Sequence, residues 1–374
     1  MIRTTIDVRL GERSYPVYSG YGMVSLLAPT MVEHKLSGQI LIITDSNVAV
    51  HYLTPLENHL RHFGFIPSSI IIPPGENQKT LRGASALYTK MIEGGAGRTS
   101  TVLALGGGVI GDLAGFVAAT YHRGLHLVHV PTTLLAQVDS SVGGKVAVNH
   151  PLGKNLIGVF HQPKLVWSDA EYLRTLPKRE VVCGLGEIVK YGILGDADMF
   201  TFVESNLRKI LAMELETVSS IQARCLQIKS SIVSQDERET GLRMVLNAGH
   251  TIGHALEAAG KYRQLKHGEA VLLGLMAESF IATRLGMLDS GIYDRIIHLI
   301  NQIPFNHRMK GLTVAEIKRA LGRDKKAVGR KNRFMLPVRL GEVVPVEGVD
   351  EKLIDDALKY LKKGNGQSRS LAIH

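Results

Sequence analysis

Along the first half of the chain, short β-branched and aliphatic runs stop abruptly at Gly, Pro, Asp or Thr, and helical stretches follow them. GQILIITDSN (38–47), SSIIIPPGENQKT (68–80), STVLALGGGVIGDLAGFVAA (100–119) and LHLVHVPTT (125–133) are the clearest cases. Strands covered on both faces read as near-continuous apolar runs, and crossover helices separate them, so this half predicts a parallel sheet. The opening MIRTTIDVRLGERSYPVYSG alternates polar and apolar positions and predicts a strand pair turning at Gly11-Glu12. Beyond Pro177 the apolar spacing becomes helical. Helices are expected over 180–194, 198–212, 214–235, 246–260, 268–287, 289–302, 313–322 and 350–363, with one hairpin in NRFMLPVRLGEVVPVEGV around Leu340-Gly341. The expected fold class is α/β plus all-α: an α/β domain over 1–178, then a helical domain over 179–374.

Composition narrows the setting. The 374 residues are 45% hydrophobic and 21% charged, an ordinary globular balance with material for two domains. Two cysteines, Cys183 and Cys225, stand far apart and in no CxxC pattern, which argues against a disulfide framework or zinc ribbon and for a cytoplasmic location. The N-terminus lacks the apolar core of a signal peptide. Asp112 or His129 interrupts the best apolar runs before they approach the roughly 20 residues of a membrane span. A formal charge of +10 favours anionic partners without choosing among them.

Gly106, Gly108 and Gly111 fit G-x-G-x-x-G after the strand STVLAL and open a helix expected to begin near Gly111, a pattern that lets backbone amides approach a pyrophosphate at the helix N-terminus. The acid usually found about 20 residues downstream is missing, because the next strand ends in Val130-Pro131-Thr132-Thr133. Asp45, with Asn47 beside it, ends an earlier strand and can hold adenosine hydroxyls from the other side; a tight glycine turn and a helix cap explain the same residues. PPGENQKT carries Glu76 and Lys79, VPTTLLAQVDSSVGGK carries Asp139 and Lys145, and PLGKNLIGVFHQP carries Lys154 and Asn155. Each alone reads as loop decoration, but together they follow strand ends, the edge where open α/β sheets bind ligands.

Candidate metal ligands fall in the second half. GLGEIVKYGIL (184–194) places Glu187 and Lys190 three apart on an apolar helix, LNAGHTIGHALE (246–257) places His250 and His254 four apart, and His267 precedes a helix in LKHGEAVLLG. Spacing leaves three arrangements open: Glu187, His250 and His267 around a divalent ion, the pair His250 and His254, or no metal and a Glu187–Lys190 ion pair.

The blocks ALGGGVIGDLAGFVAATYHRG, VPTTLLAQVDSSVGGKVAVN, GKNLIGVFHQP, GLGEIVKYG, DERETGLRMVLNAGHTIGHALE and HGEAV, in this order and spacing, resemble the signature blocks of the 3-dehydroquinate synthase family of sugar phosphate cyclases over about residues 40 to 340. The resemblance implies a Rossmann-like NAD-binding domain followed by a helical metal-binding domain. It implies Glu187, His250 and His267 as ligands of zinc or cobalt, with His254 instead reaching the substrate near its phosphate. Around NAD it places Asp45, Asn47, Glu76 and Lys79, then Gly107, Gly108, Val109 and Asp112, then Thr132, Thr133, Asp139, Lys145 and Lys154, and finally Thr175, Leu176 and Glu180.

For the substrate the resemblance implies contacts from Lys145, Lys154, Asn155, Lys229, Arg243, Asn247, His254 and, in "DKK", Lys325 rather than Lys326. Asp139, Lys145, Asn155, Lys190 and His254 are the implied catalytic positions. Arg123 matches a residue donated to the neighbouring subunit's site, which implies a homodimer. The implied activity converts 3-deoxy-D-arabino-heptulosonate 7-phosphate to 3-dehydroquinate and phosphate through transient oxidation by NAD, phosphate elimination, reduction and intramolecular aldol closure. In it Arg123, Lys145, Lys325 and His254 grip the phosphate, and Arg243 and Lys229 meet the carboxylate.

Two other classes compete. A polyol dehydrogenase shares fold and metal but has no need of a phosphate cluster. A nucleic-acid binder is suggested by the basic stretch 309–333, yet that stretch has no interleaved aromatics for base stacking and reads as a solvated face.

Overall fold

The computed structural model describes residues 2–306, 309, 311–328 and 332–363, the side chains of residue 2 and of 323–328 excepted. In chain order the elements are β1 (Ile2–Val8), β2 (Tyr15–Tyr21), α1 (Leu27–Glu33), β3 (Gln39–Asp45), α2 (Ser46–His62), β4 (Ile66–Ile72), α3 (Leu81–Glu93), β5 (Thr101–Gly106), α4 (Gly108–Thr120), β6 (His126–Pro131), β7 (Lys145–His150), β8 (Gly153–Phe160) and β9 (Leu165–Asp169). Then follow α5 (Lys178–Leu194), α6 (Ala197–Leu211), α7 (Leu215–Gln235), α8 (His250–Ala259), α9 (His267–Arg284), α10 (Ser290–Gln302), α11 (Val314–Val328), β10 (Arg333–Arg339), β11 (Glu342–Glu347) and α12 (Glu351–Lys363).

The main sheet runs in the order β1-β2-β9-β6-β5-β3-β4, parallel throughout except for the β1–β2 pair. From β3 the chain crosses to β4 through α2, and from β5 it crosses the opposite way to β6 through α4. Right-handed crossovers in opposite directions put their helices on opposite faces. The cores show this: Leu53, Leu56 and Leu60 of α2 pack on Ile40, Ile42, Leu103 and Leu105, whereas Leu113 and Val117 of α4 pack on the other face with Leu41, Ile43, Val102 and Ala104. The direction of winding therefore reverses between β3 and β5. At such a switch point the loops part and leave a crevice at the strand C-termini, flanked here by Asp45 and Gly106.

Three departures from the sequence expectation affect the site. The segment 145–160, read as loops, is an antiparallel hairpin of β7 and β8. Val146 and Val148 bury its inner face, and Gly115 of α4 makes the approach possible, since a Cβ there would lie 2.3 Å from Val146. The helix expected over 246–260 starts at His250, because Gly249 takes a left-handed conformation (φ 76°) after a 3₁₀ turn over Leu242–Asn247. The helix opened by the glycine turn starts at Gly108 rather than near Gly111.

Two compact units emerge, 1–181 with 209–239 and 182–208 with 240–374. A single boundary after residue 178 misses the return of α7 to the first unit, where Leu226 and Val233 cover Ile6, Val8, Tyr15 and Val17 of the β1–β2 pair. In the second unit α9 is central: Gly268 to Ala282 are all buried, as expected of a helix apolar on every side. The hairpin expected around Leu340-Gly341 is β10–β11. Both cysteines are free and buried, and no helix among the described residues is long and apolar enough to cross a membrane. The basic stretch 309–333 lies partly outside the described residues.

Candidate active site

The candidate nucleotide-binding residues lie in the first unit. Between β5 and α4 the chain turns so tightly that a Cβ on Gly106 would lie 2.6 Å from Ile110, and one on Gly107 would lie 2.8 Å from Thr133. Only glycines allow the turn, which leaves Gly107, Gly108 and Val109 presenting backbone amides at the start of α4. Beside it, Thr132 donates its amide to Gly106 (3.0 Å), and its buried hydroxyl has no hydrogen-bond partner among the described residues. A buried polar atom of that kind fits a ligand-facing role. Across the switch point, Asp45 caps α2 by accepting from the amides of Asn47 (2.9 Å) and Val48 (3.3 Å). Both bonds run to Oδ1, so cap and ligand contact are compatible. Thr175 shares a hydrogen bond with Tyr52 (2.9 Å), Leu176 donates its amide to Leu173, and Glu180 lies in the first turn of α5.

A second group ties three loops together. Lys79, almost fully buried, pairs with Asp112 of α4 and donates to Asn155 Oδ1 at 2.6 Å. Burial pushes the Asp112 carboxyl up from its usual range, and the Lys79 ammonium opposes the shift. Asn149 completes the group, donating to Glu76 (2.7 Å) and accepting the Asn155 amide (3.0 Å), while Lys154 stands 4.0 Å from Glu76. Asn149 left no sequence signal; it enters because β7 bridges to Thr80 beside Lys79.

Asp139 sits on a π-helical turn, Ala136–Ser140, a local irregularity often found at functional sites. Lys229 of α7 donates to its backbone carbonyl (2.7 Å) and to Oδ1 (2.8 Å). Lys229 is itself buried, while nearby Glu237 pairs with Arg13 and Glu239 with Lys145. Arg123 lies at the far end of α4, exposed, in a turn where His122 (φ 50°) and Arg123 (φ 70°) are both left-handed. Two such residues in a row are uncommon outside functional segments.

The candidate metal ligands lie in the second unit. Glu187 of α5 is fully buried, with Lys190 paired to its Oε2. His250 and His267 are the first residues of α8 and α9, and both turn Nε2 to Glu187 Oε1, at 3.6 and 3.2 Å. Their other ring nitrogens are held, His250 Nδ1 by the Ala248 carbonyl and His267 Nδ1 by Glu257, both at 3.0 Å. Such outer partners fix the tautomer that presents Nε2 to a metal. One ligand atom each from Glu187, His250 and His267 lie within 4.8 Å of one another, the N2O set of a catalytic zinc or cobalt site. A second triple, His254, Glu257 and His267, shares His267; no such group among the described residues contains both His250 and His254. Burial drives the His250 imidazole down to about 3. Burial also opposes the charge on His267, but Glu187 and Glu257 outweigh it and raise that group to about 10.

Exposed His254 stands edge-on to His250, ring centres 5.2 Å apart. Arg243 and Asn247 lie on the 3₁₀ turn leading into Gly249, and Arg243 is 2% exposed. Lys325 and Lys326 are on α11 but outside the described side chains. Glu257, not singled out from sequence, follows His250 by seven residues on one helix, a spacing that returns it to the same face.

The sequence matches the family descriptions 3-dehydroquinate synthase N-terminal over residues 69–183 and 3-dehydroquinate synthase C-terminal over 184–327. A 3-dehydroquinate synthase of Caldanaerobacter subterraneus subsp. tengcongensis is 46% identical over 357 residues, 96% of this chain and 99% of that one. Among solved structures, a 2-epi-5-epi-valiolone synthase from Streptomyces hygroscopicus with NAD+ and Zn2+ bound superposes with a TM-score of 0.85 at 28% identity, covering 95% of this chain and 98% of that one. A 2-deoxy-scyllo-inosose synthase complexed with carbaglucose-6-phosphate, NAD+ and Co2+ gives 0.82 at 27% identity, with 96% and 100% covered.

Proposed function

The chain belongs to the 3-dehydroquinate synthase family, and on that premise we infer that it converts 3-deoxy-D-arabino-heptulosonate 7-phosphate to 3-dehydroquinate and inorganic phosphate, with NAD and a divalent metal ion as cofactors. The observation that carries the reading is the set of buried Glu187 with half-buried His250 and His267, with Nε2 of each histidine oriented by a partner on Nδ1. When bound, NAD supplies an oxidation of the substrate's C5 hydroxyl that is reversed within the same cycle, and the metal supplies Lewis acidity at that oxygen.

The chain's own residues divide the remaining work. Gly107, Gly108 and Val109 hold the pyrophosphate at the α4 N-terminus, with Thr132 and Asp45 on either side. Glu76, Lys79, Asp112, Asn149 and Asn155 fix the loops around it. In the first unit Lys145, Lys154 and Asn155 are the phosphate contacts and Lys229 a carboxylate contact; in the second, His254 and Lys325 are phosphate contacts, Arg243 and Asn247 serve the carboxylate, and Lys190 pairs with Glu187.

Arg123 completes the phosphate grip from the neighbouring subunit of a homodimer. Its own sheet supports this: α4 has 13 residues, and at about 1.5 Å each it carries Arg123 roughly 20 Å from the glycine turn. An arginine at the N-terminal edge of the strands is too far to serve nucleotide-holding residues at their C-terminal edge. The two free, buried cysteines agree with a reducing, cytoplasmic setting.

The carboxylate separates this reaction from those of the related sugar phosphate cyclases. Phosphate release by wild type and by Arg243→Leu, on the heptulosonate phosphate and on glucose 6-phosphate, tests it. Wild type should prefer the heptulosonate, and the variant should lose at least about 30-fold on it, as expected when a buried cation facing a carboxylate is removed. Preference for glucose 6-phosphate would move the chain to the inosose synthase branch.

A further inference from the structure

The second unit holds a fully buried carboxylate that the reaction does not use. Glu278, on α9, is 0% exposed, and its Oε2 accepts the Gly249 amide at 2.6 Å. Its other oxygen, Oε1, is buried with no hydrogen-bond partner among the described residues. A carboxyl with a single bond in an apolar helix core is costly, and an apolar residue of the same size would pack there at less expense. Burial pushes the pKa of the group well above the usual carboxylate range. Something local must make the Gly249 amide worth holding.

What the amide controls is the residue after it. Gly249 is the left-handed turn from which α8 and His250 start, and it is wedged against α9: a Cβ on Gly249 would lie 2.8 Å from Leu275 Cγ and 2.9 Å from the Val271 carbonyl. From the other side, a Cβ on Gly274 would lie 1.8 Å from the Gly249 carbonyl. His267, Val271, Gly274 and Glu278 are spaced four, three and four apart, so they line one face of α9. That face thus begins with one metal-ligand histidine, leaves room for the turn that launches the other, and ends by hydrogen-bonding that turn.

We propose that Glu278 is a positioning residue of the metal centre: by accepting the Gly249 amide it fixes the start of α8 on α9, and so sets the distance between the ligand nitrogens of His250 and His267. The inference rests on the reading of Glu187, His250 and His267 as the metal ligands. The acceptor oxygen, rather than a negative charge, is what the role requires. Gln at 278 keeps the acceptor; Met keeps the volume and loses it.

The test is cobalt(II) binding to chelator-treated full-length protein, followed by titration and by the visible absorption of the bound ion. Wild type should bind one cobalt per chain. Glu278→Gln should match it within about threefold and keep its spectrum, while Glu278→Met should bind roughly 10–100-fold more weakly, the usual effect of losing an outer-shell partner, with an altered spectrum. Gly274→Ala pushes on the same turn through a different atom and should weaken binding likewise, so it decides the matter if Glu278→Met does not fold. A folded Glu278→Met that binds cobalt with wild-type affinity and spectrum overturns the proposal, as does a Gln variant as weak as Met. Failure of wild type to bind cobalt would instead overturn the metal reading beneath it.

Discussion

Glu257 holds the Nδ1 of His267 at 3.0 Å, turning the opposite ring nitrogen to face Glu187. A carboxylate behind a ligand histidine fixes ring and tautomer and makes the imidazole a better donor. Glu257→Ala should therefore weaken metal affinity by about 10–100-fold while leaving secondary structure intact. Glu257→Gln, which still offers an acceptor, should fall between the two. Equal metal content in Ala variant and wild type after dialysis against chelator would contradict the role.

The two histidines four apart should separate cleanly. His250→Ala removes a ligand that faces Glu187 and should abolish metal retention. His254→Ala removes an exposed ring that shares no three-donor group with His250 and should leave metal bound while lowering turnover. Metal analysis of both purified variants, beside their phosphate-release rates, is sufficient; equal metal loss from the two would make the i, i+4 pair the site.

Stability of the metal-free protein should depend on pH in two directions. His267 is held up to about 10, so between the unfolded value near 6.5 and that limit the folded state binds the extra proton. Its contribution is complete below about pH 6.5 and is lost as pH rises through about 10. His250 is pressed down to about 3, so below about 6.5 the unfolded chain takes up a proton that the folded state refuses, and stability falls as pH falls. Thermal melts of chelated protein should therefore peak near pH 6.5. His267→Gln should remove the alkaline decline; a Tm that climbs between pH 7 and 9 in the chelated wild type would rule this account out.

Arg123 should act across a subunit boundary. A mixture of Arg123→Ala and His250→Ala chains, each inactive alone, should recover up to about one working site per heterodimer after subunit exchange. Verified exchange with no recovery would return the arginine to its own chain's site.

Much of this protein is legible along the chain because the patterns are local. Continuous apolar runs such as ILII and VLAL mark strands covered on both faces, and the glycines at 106 to 108 announce a turn too tight for side chains. Glu187 on an apolar helix and His250 near His254 announce chemistry, because burying such groups without a partner is costly. What sequence could not decide depends on contacts between distant segments. The winding reversal between β3 and β5 puts Asp45 beside Gly106, a neighbour that no spacing along the chain announces. Hairpin pairing of 145–160, and with it Asn149, exists only because Gly115 lets β7 onto α4. The return of α7 turns Lys229 from an ordinary helix lysine into a buried partner of Asp139. Which histidines share a three-donor group with Glu187 depends on where α8 and α9 begin: the left-handed Gly249 makes His250 a helix start, as His267 is of α9. Periodicity records which face of an element is apolar; it carries no information on which other element will cover it, and that decides which polar side chains converge.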